Sequence, residues 1–567
     1  MLDTFFADRN LYLDLPSGIG GWIGWFAFLA LVVWTAWQGR KNLQLSTRFS
    51  RILFFAALIA TPVTASIFRI PLGFLPSIPI PGLPAESQVP SLLPLLALPW
   101  MLAAGLISGP AAGTLGLFCG LWLGLVQTHS IFTPLEFGLL GFAFAAMIRQ
   151  PYRTVFFKAL GHPLVAAQGL GLINIPLVIL TALWGTPGSL AVRIDYSLAQ
   201  SWPLILTRAV EFLIGGFFCE ALLLVKWSAW YKPLRNQPSP AETSLRKRYL
   251  FRMVPLLLVM IIGLTVAGWN WAARTARSQL ENRLENAASI VGNTIPYFLG
   301  TGQNLIYRQA TPDLIGRTPE EIEVGLGNRL HLFHFFETLG FVEGENQAVS
   351  WYGDDEFSAG LSPEEERGVK LALKGVMVQT YALAIPEEDG KVQISFIASI
   401  LQEQKPVGAL IGRANLVSNP IAQTSIYLLR GLQQDGGMGA ILDENRQVLY
   451  HTSEGQLGEN YSAEIQETGK MFEALSPQGQ SMMMIYQPAP GREWGVLVGL
   501  PTEIILENAL QLALPQFFLA LGVVILIIAG IMFGIRTITR GVKTAATTAL
   551  AVSQGRLDIP LVIGGED

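Results

Sequence analysis

Apolar runs recur near 21–37, 52–70, 91–108, 110–128, 134–148, 162–184, 204–225, 253–272 and 511–535. Each is long enough to be read as a helix crossing roughly 30 Å of hydrocarbon. Only Gly109-Pro110 separates the third run from the fourth; proline cannot continue a helix and glycine eases a tight reversal, so the chain is predicted to turn back there. Beyond the eighth run the pattern changes. Polar faces at Arg274, Arg277, Gln279, Glu281 and Arg283 predict a helix over 272–295 that continues out of the span until Pro296 kinks or ends it. At 1.5 Å per residue such a helix reaches roughly 35 Å. Short alternating strands follow. Segments 341–349 and 441–448 each set acidic residues and asparagine (Glu343, Asn346; Asp443, Asn445) between apolar flanks, as hairpin turns do. Gly408-Ala-Leu-Ile-Gly412 and Gly495-Val-Leu-Val-Gly499 each follow a turn-rich stretch. The hairpins are offset by 99 residues and the glycine-bounded strands by 87. Two α/β lobes of similar plan are therefore predicted, about 300–430 and 431–505, the first with about twelve extra residues.

Charge decides which side of the membrane each part occupies. Residues 274–508 hold 30 acidic and 16 basic side chains, a net of −14, while the rest hold 12 and 22, a net of +10. With the N-terminus outside, the inner connections are 38–51, 149–158, 226–252 and 536–543. They collect 17 Lys or Arg and one acid, Glu242, whereas the outer connections before Arg274 collect only Arg9, Arg69 and Arg193. Basic residues stay on the cytoplasmic side, so 274–508 is predicted outside the cytoplasm and 536–567 inside it. Composition agrees, with 51% hydrophobic and 14% charged residues against roughly 25% charged in soluble domains. The start of the chain is acidic rather than basic, so no cleavable signal peptide is expected. Cys119 and Cys219 both lie in apolar runs, which indicates neither a disulfide framework nor a thiolate metal site.

The expected fold is a membrane α-helical bundle of about nine spans plus an extracytoplasmic α/β (α+β) domain. It divides into a multi-span membrane domain (1–252), a span (253–273), the outer domain (274–508), a last span (509–535) and a cytoplasmic segment (536–567). A long helix leaving a span, two such lobes, and a helix returning to the membrane after Pro501 resemble the double Cache domain. These paired PAS-like lobes form extracytoplasmic sensors of bacterial receptors. The second lobe carries the likeness best, in 439–451, Leu457-Gly458, 482–487 and 494–500. The resemblance implies a small ligand in the membrane-distal lobe, here the first, although some members serve as spacers. The amino-acid-binding branch places an Arg before a Trp-Tyr pair; this chain departs from it, with Val349 and Ser350 ahead of Trp351-Tyr352.

Candidate ligand contacts are Trp351, Tyr352, Asp354, Asp355, Tyr381, Ser395 and Arg413. Aromatics supply an apolar wall, and Arg or Asp fixes a charged group. The alternative for each is a core aromatic or a solvated turn carboxylate. His331, His334 and Glu337 stand at i, i+3 and i+6, on one face if helical. They are either metal ligands or a packed or exposed histidine pair, and no metal or cofactor is expected.

After the last span, Val542, Ala545, Ala549 and Val552 keep heptad spacing, and Gly555-Arg-Leu557-Asp558 follows. This resembles the first helix and connector of a HAMP domain, the dimeric relay of histidine kinases, chemoreceptors and cyclases, with Gly541 in place of the usual proline. The resemblance implies a homodimer and a signal path through Pro501, Arg540, Val542, Ala549, Gly555, Leu557 and Asp558. It also implies an output supplied by a longer form, as kinase, cyclase or phosphatase, or by a cytoplasmic partner.

Within the bundle, Gly105, Gly109, Gly113, Gly116, Gly120 and Gly124 form a stripe that permits close packing. Ionisable residues inside spans are costly and so single out a membrane pocket at Glu136, Asn174, Arg208 and Glu211. Asn174-Ile-Pro176 would break the hydrogen bonding of its span, as binding-site helices do. The alternative is a structural role, in which Arg208 and Glu211 neutralise each other at i, i+3 and Glu136 reaches the interface. The function expected is a membrane receptor for a small molecule or membrane cue, with lipid as a partner. The rival is a transporter or uptake subunit, which would carry substrate flux. No catalytic set supports an enzyme, and nucleic acid is not expected because the basic residues are spent at the membrane's inner face.

Overall fold

The computed structural model describes residues 13–16, 18–39, 48–67, 70–79, 88–225, 230–231, 236–239, 242, 245–332, 334–344, 349–353, 360–384, 392–453, 457, 460–461, 469–476 and 479–554. They form two units, Met1–Thr275 with Leu506–Asp567, and Ala276–Ile505.

The first unit contains helices α1 (Gly18–Gly39), α2 (Arg48–Ile67), α3 (Ala97–Leu106), α4 (Gly109–Leu123), α5 (Thr133–Arg149), α6 (Val155–Leu160), α7 (Pro163–Gly185), α8 (Leu190–Asp195) and α9 (Trp202–Leu224). It also takes in the start of α10 (Leu245–Gln309) and most of α14 (Thr502–Ser553). Among the described residues, four stretches are long and apolar enough to cross a membrane: Gly18–Gln38, Pro163–Gly185, Lys247–Gln309 and Thr502–Gly534. The run expected over 91–108 is helical only from Ala97. Before it, Leu92 and Leu93 pair with Pro71 and Ile70 in a two-stranded ladder (β1, Ile70–Pro71; β4, Leu92–Leu93). A second short pair, β2 (Ile78–Pro79) and β3 (Gln88–Val89), lies between them in sequence. The ten residues of α3 rise about 15 Å, half a bilayer core. At the predicted reversal the Ser108 hydroxyl accepts from the Ala111 N–H at 3.2 Å and Pro110 fills the first turn, a standard N-cap. The glycine stripe then brings α4 against α5. A Cβ at Gly116 would stand 2.3 Å from the Phe137 carbonyl oxygen, and one at Gly120 2.6 Å from that of Thr133.

The second unit is built on the rest of α10. Leu280, Leu284, Ala288, Val291, Ile295, Phe298, Leu299 and Ile306 form its buried stripe, at the three- and four-residue spacing of one helix face. The helix does not stop at Pro296 but runs on to Gln309. Two five-stranded antiparallel sheets share this stripe as core. The first, β6-β5-β9-β8-β7, comprises β5 (Thr338–Glu343), β6 (Val349–Gly353), β7 (Val378–Ala384), β8 (Val392–Gln402) and β9 (Lys405–Asn415). The second, β11-β10-β14-β13-β12, comprises β10 (Met438–Leu442), β11 (Val448–His451), β12 (Met471–Leu475), β13 (Ser481–Pro488) and β14 (Gly495–Pro501). Each sheet places its strands in the order second, first, fifth, fourth, third. Gly292 packs beside Gln487 and Pro488 of the second lobe, and Gly302 against Phe396 and Phe335 of the first, so α10 passes the second lobe before it reaches the first. Helices α11 (Pro319–Leu332) and α12 (Pro363–Leu373) flank the first sheet and α13 (Gln423–Gln434) the second. Because α11 ends at Leu332, His334 and Glu337 lie beyond it, and the three residues do not share a helical face.

Candidate functional site

Strand register sorts the candidate residues of the first lobe. Thr338, Arg413, Ser395 and Tyr381 stand opposite one another across β5, β9, β8 and β7. The next row on that face is Trp351, Gly340, Ile411, Ile397 and Gln379. Both rows meet α12, where Val369 and Ala372 join the cluster. Tyr352 belongs to the intervening row and turns to the other face, since successive side chains alternate. There its ring packs over Gly327 of α11 and edge-on to His331. The Trp351-Tyr352 pair is therefore split between two faces and does not line one wall. Asp354, Asp355 and Gly458 lie outside the described residues.

On the α12 face, Arg413 is already engaged. Its Nε donates to Glu365 Oε1 at 2.8 Å and its Nη2 to Glu365 Oε2 at 2.5 Å and to the Gly360 carbonyl at 2.8 Å. Its guanidinium carbon sits 4.1 Å from the Trp351 ring centre. Ser395 Oγ donates to Glu365 Oε1 at 2.8 Å. Glu365 closes a capping box at the start of α12: its N–H donates to Ser362 Oγ at 3.1 Å, and its Oε2 accepts from the Ser362 N–H at 3.0 Å. Four donors thus converge on one carboxylate that is 0% exposed. Glu365 was not among the sequence candidates. Ser362-Pro-Glu-Glu365 spells the capping box, but the cation it pairs with is 48 residues away. Tyr381 donates its hydroxyl to Gln379 Oε1 at 2.6 Å; burial pushes its phenol pKa up, with Arg367 pulling against that. Chemically the arrangement is a charge clamp: any anion seeking Arg413 must first displace Glu365.

In the first unit, Glu136 is 3% exposed. It pairs with Arg208 and accepts from the Thr181 hydroxyl. The close ion pair of Arg208 is therefore with Glu136 of α5. Glu211 instead accepts from the Ala97 N–H at 2.7 Å, satisfying a donor at the start of α3. The Arg208 guanidinium also lies 5.5 Å from the Phe137 ring. Helix α7 continues through Pro176, which offers no N–H to its hydrogen-bond ladder. The Asn174 side chain is 0% exposed, and neither amide atom has a partner among the described residues. Of the relay residues, Pro501 ends β14, while Arg540, Val542 and Ala549 lie on α14. Gly555, Leu557 and Asp558 lie outside the described residues.

No family model and no curated protein matches the chain. Solved structures do, among them several chemoreceptor sensory domains. The ligand-binding domain of the Pseudomonas aeruginosa PAO1 amino acid chemoreceptor PctC, solved with GABA, is 17% identical, with a TM-score of 0.32. The match covers 39% of this chain and 99% of that one. The ligand-binding domain of the Pseudomonas fluorescens chemoreceptor CtaA, solved with L-isoleucine, is 16% identical over 41% of this chain and 97% of that one, with a TM-score of 0.32. The sensory domain of the Campylobacter jejuni chemoreceptor Tlp3 is 10% identical over 42% and 99%, also at 0.32. At these identities and scores the likeness places no ligand and no site residue in this chain.

Proposed function

We propose that the chain is a transmembrane receptor whose two-lobed unit is a double Cache sensor on the outer side of a bacterial inner membrane. The single observation that carries this reading is connectivity. One helix, α10, enters the lobed unit and another, α14, leaves it, and each includes a stretch able to cross a membrane. A change in the lobes then has a covalent, helical path to the last span. A second input is available to the bundle: the Trp269 Nε1–H of α10 donates to Asp195 Oδ1 at 2.8 Å, both residues being buried. The signal passes through α14 as a small piston or rotation, repacking a HAMP helix in a homodimer.

Single cysteines at Val542→Cys and Ala549→Cys, in a chain with Cys119→Ala and Cys219→Ala, test this by disulfide crosslinking in membranes. The reading expects crosslinking yield to change between the wild-type clamp and Glu365→Gln, and with at least one of a panel of amino acids and organic acids added outside. Identical patterns in every condition would count against it.

A further inference from the structure

Between α1, α4, α5 and α7 lies a cleft of about 900 Å³, within the roughly 300–1,000 Å³ usual for small-molecule sites. Its walls are apolar: Leu31, Leu139, Phe142, Ile173 and Leu177. Leu31 and Ile173 are 45% and 39% exposed, so the cleft opens on the outward apolar surface of α1 and α7. Polar groups gather at one end, where Gln38 ends α1, Ser108 precedes α4, Arg149 ends α5 and Tyr231 packs alongside. Arg149 Nε donates to the Ala104 carbonyl at 2.5 Å and Nη2 to that of Gly105 at 3.4 Å. Its guanidinium carbon lies 4.4 Å from the Tyr231 ring centre. Those partners carry no net charge, and among the described residues no carboxylate pairs with it. A cation at the end of an apolar cleft that opens toward lipid calls for an anion tethered to an apolar chain.

We propose that this cleft binds one anionic phospholipid. Its acyl chain lies along Leu139, Phe142 and Leu177, and its phosphate sits at Arg149, at the end of the cleft that Tyr231, Ser108 and Gln38 also line. This rests on reading the first unit as a membrane bundle, and it makes lipid composition an input to the receptor.

The test uses the full chain in phosphatidylcholine nanodiscs doped with photoreactive phosphatidylglycerol, photoreactive phosphatidylcholine or photoreactive palmitate. Phosphatidylglycerol is expected to label 139–149 and 173–177 about fivefold more than phosphatidylcholine, the preference one arginine near a bilayer surface confers. Arg149→Gln should erase that preference while labelling persists. Filling the cleft with Ala146→Phe, at an exposed position, should suppress labelling by all three probes, with Ala143→Leu as a second filler. Equal labelling by the two phospholipids, labelling indifferent to both fillers, or stronger labelling by palmitate would overturn the proposal. Release of the chain from native membranes by alkaline carbonate would instead overturn the membrane reading beneath it.

Discussion

Glu365 and Arg413 meet where water barely reaches, at 0% and 6% exposure. Desolvating two charges is expensive, and their attraction repays it only with good geometry and satisfied lone pairs; the four donors on Glu365 meet that condition. Removing one partner leaves the other charge buried and alone. Glu365→Ala should therefore cost about 3–5 kcal/mol, while Glu365→Met combined with Arg413→Met should recover most of the loss. Denaturant unfolding of the full chain in detergent measures both, and an additive double variant would contradict a coupled pair. His451 is a second residue with a measurable consequence. Its Nδ1 accepts from the Ser453 N–H at 2.9 Å and lies 3.1 Å from the Ser453 carbonyl oxygen; burial lowers the pKa of the ring from 6.5, and the carbonyl, which accepts from a protonated ring, opposes this. The unfolded chain therefore takes up a proton that the folded one refuses. Stability is whole above about 6.5 and falls as pH drops from there toward the folded value. The melting temperature of His451→Gln should fall less than that of wild type between about pH 7 and pH 5, and parallel curves would remove His451 from the account.

Helix pairs and sheets were legible in the sequence to different degrees. The hairpins at 341–349 and 441–448 form between β5 and β6 and between β10 and β11, because turn chemistry is local. The split of Trp351 from Tyr352 was implicit in strand alternation, yet choosing residues by type alone put them together. Glu365 stayed hidden because its partner is set by long-range register, which capping residues do not encode. Proline did not decide helix length: α10 does not end at Pro296, and α7 runs on through Pro176. At 91–108 hydropathy missed that Leu92 and Leu93 pair with β1 in a short ladder. The glycine stripe was informative, and its element-scale consequence can be measured. Gly116→Val puts a branched side chain against the Phe137 carbonyl, and overpacking of this kind costs about 1–3 kcal/mol. Gly530→Val, with nothing within 4 Å of a Cβ, is the control. Detergent melting curves should drop for the first variant and hold for the second; equal curves would mean that α4 and α5 do not need contact at Gly116.

The chain as a whole separates its charge, −14 over 274–508 against +10 elsewhere, and the sidedness proposed for the receptor follows from where its lysines and arginines fall. On the proposed reading the basic connections stay at the cytoplasmic face and the acidic lobes lie on the other side. An outer sensor and an inner relay make sense only with that sidedness. Tyr427 on α13 and Leu550 on α14 are 65% and 62% exposed, so cysteines there are open to reagent. In intact cells carrying the full chain without its native cysteines, a membrane-impermeant maleimide should label Tyr427→Cys at once and Leu550→Cys only after permeabilisation. Labelling of Leu550→Cys in intact cells with Tyr427→Cys protected would contradict the account.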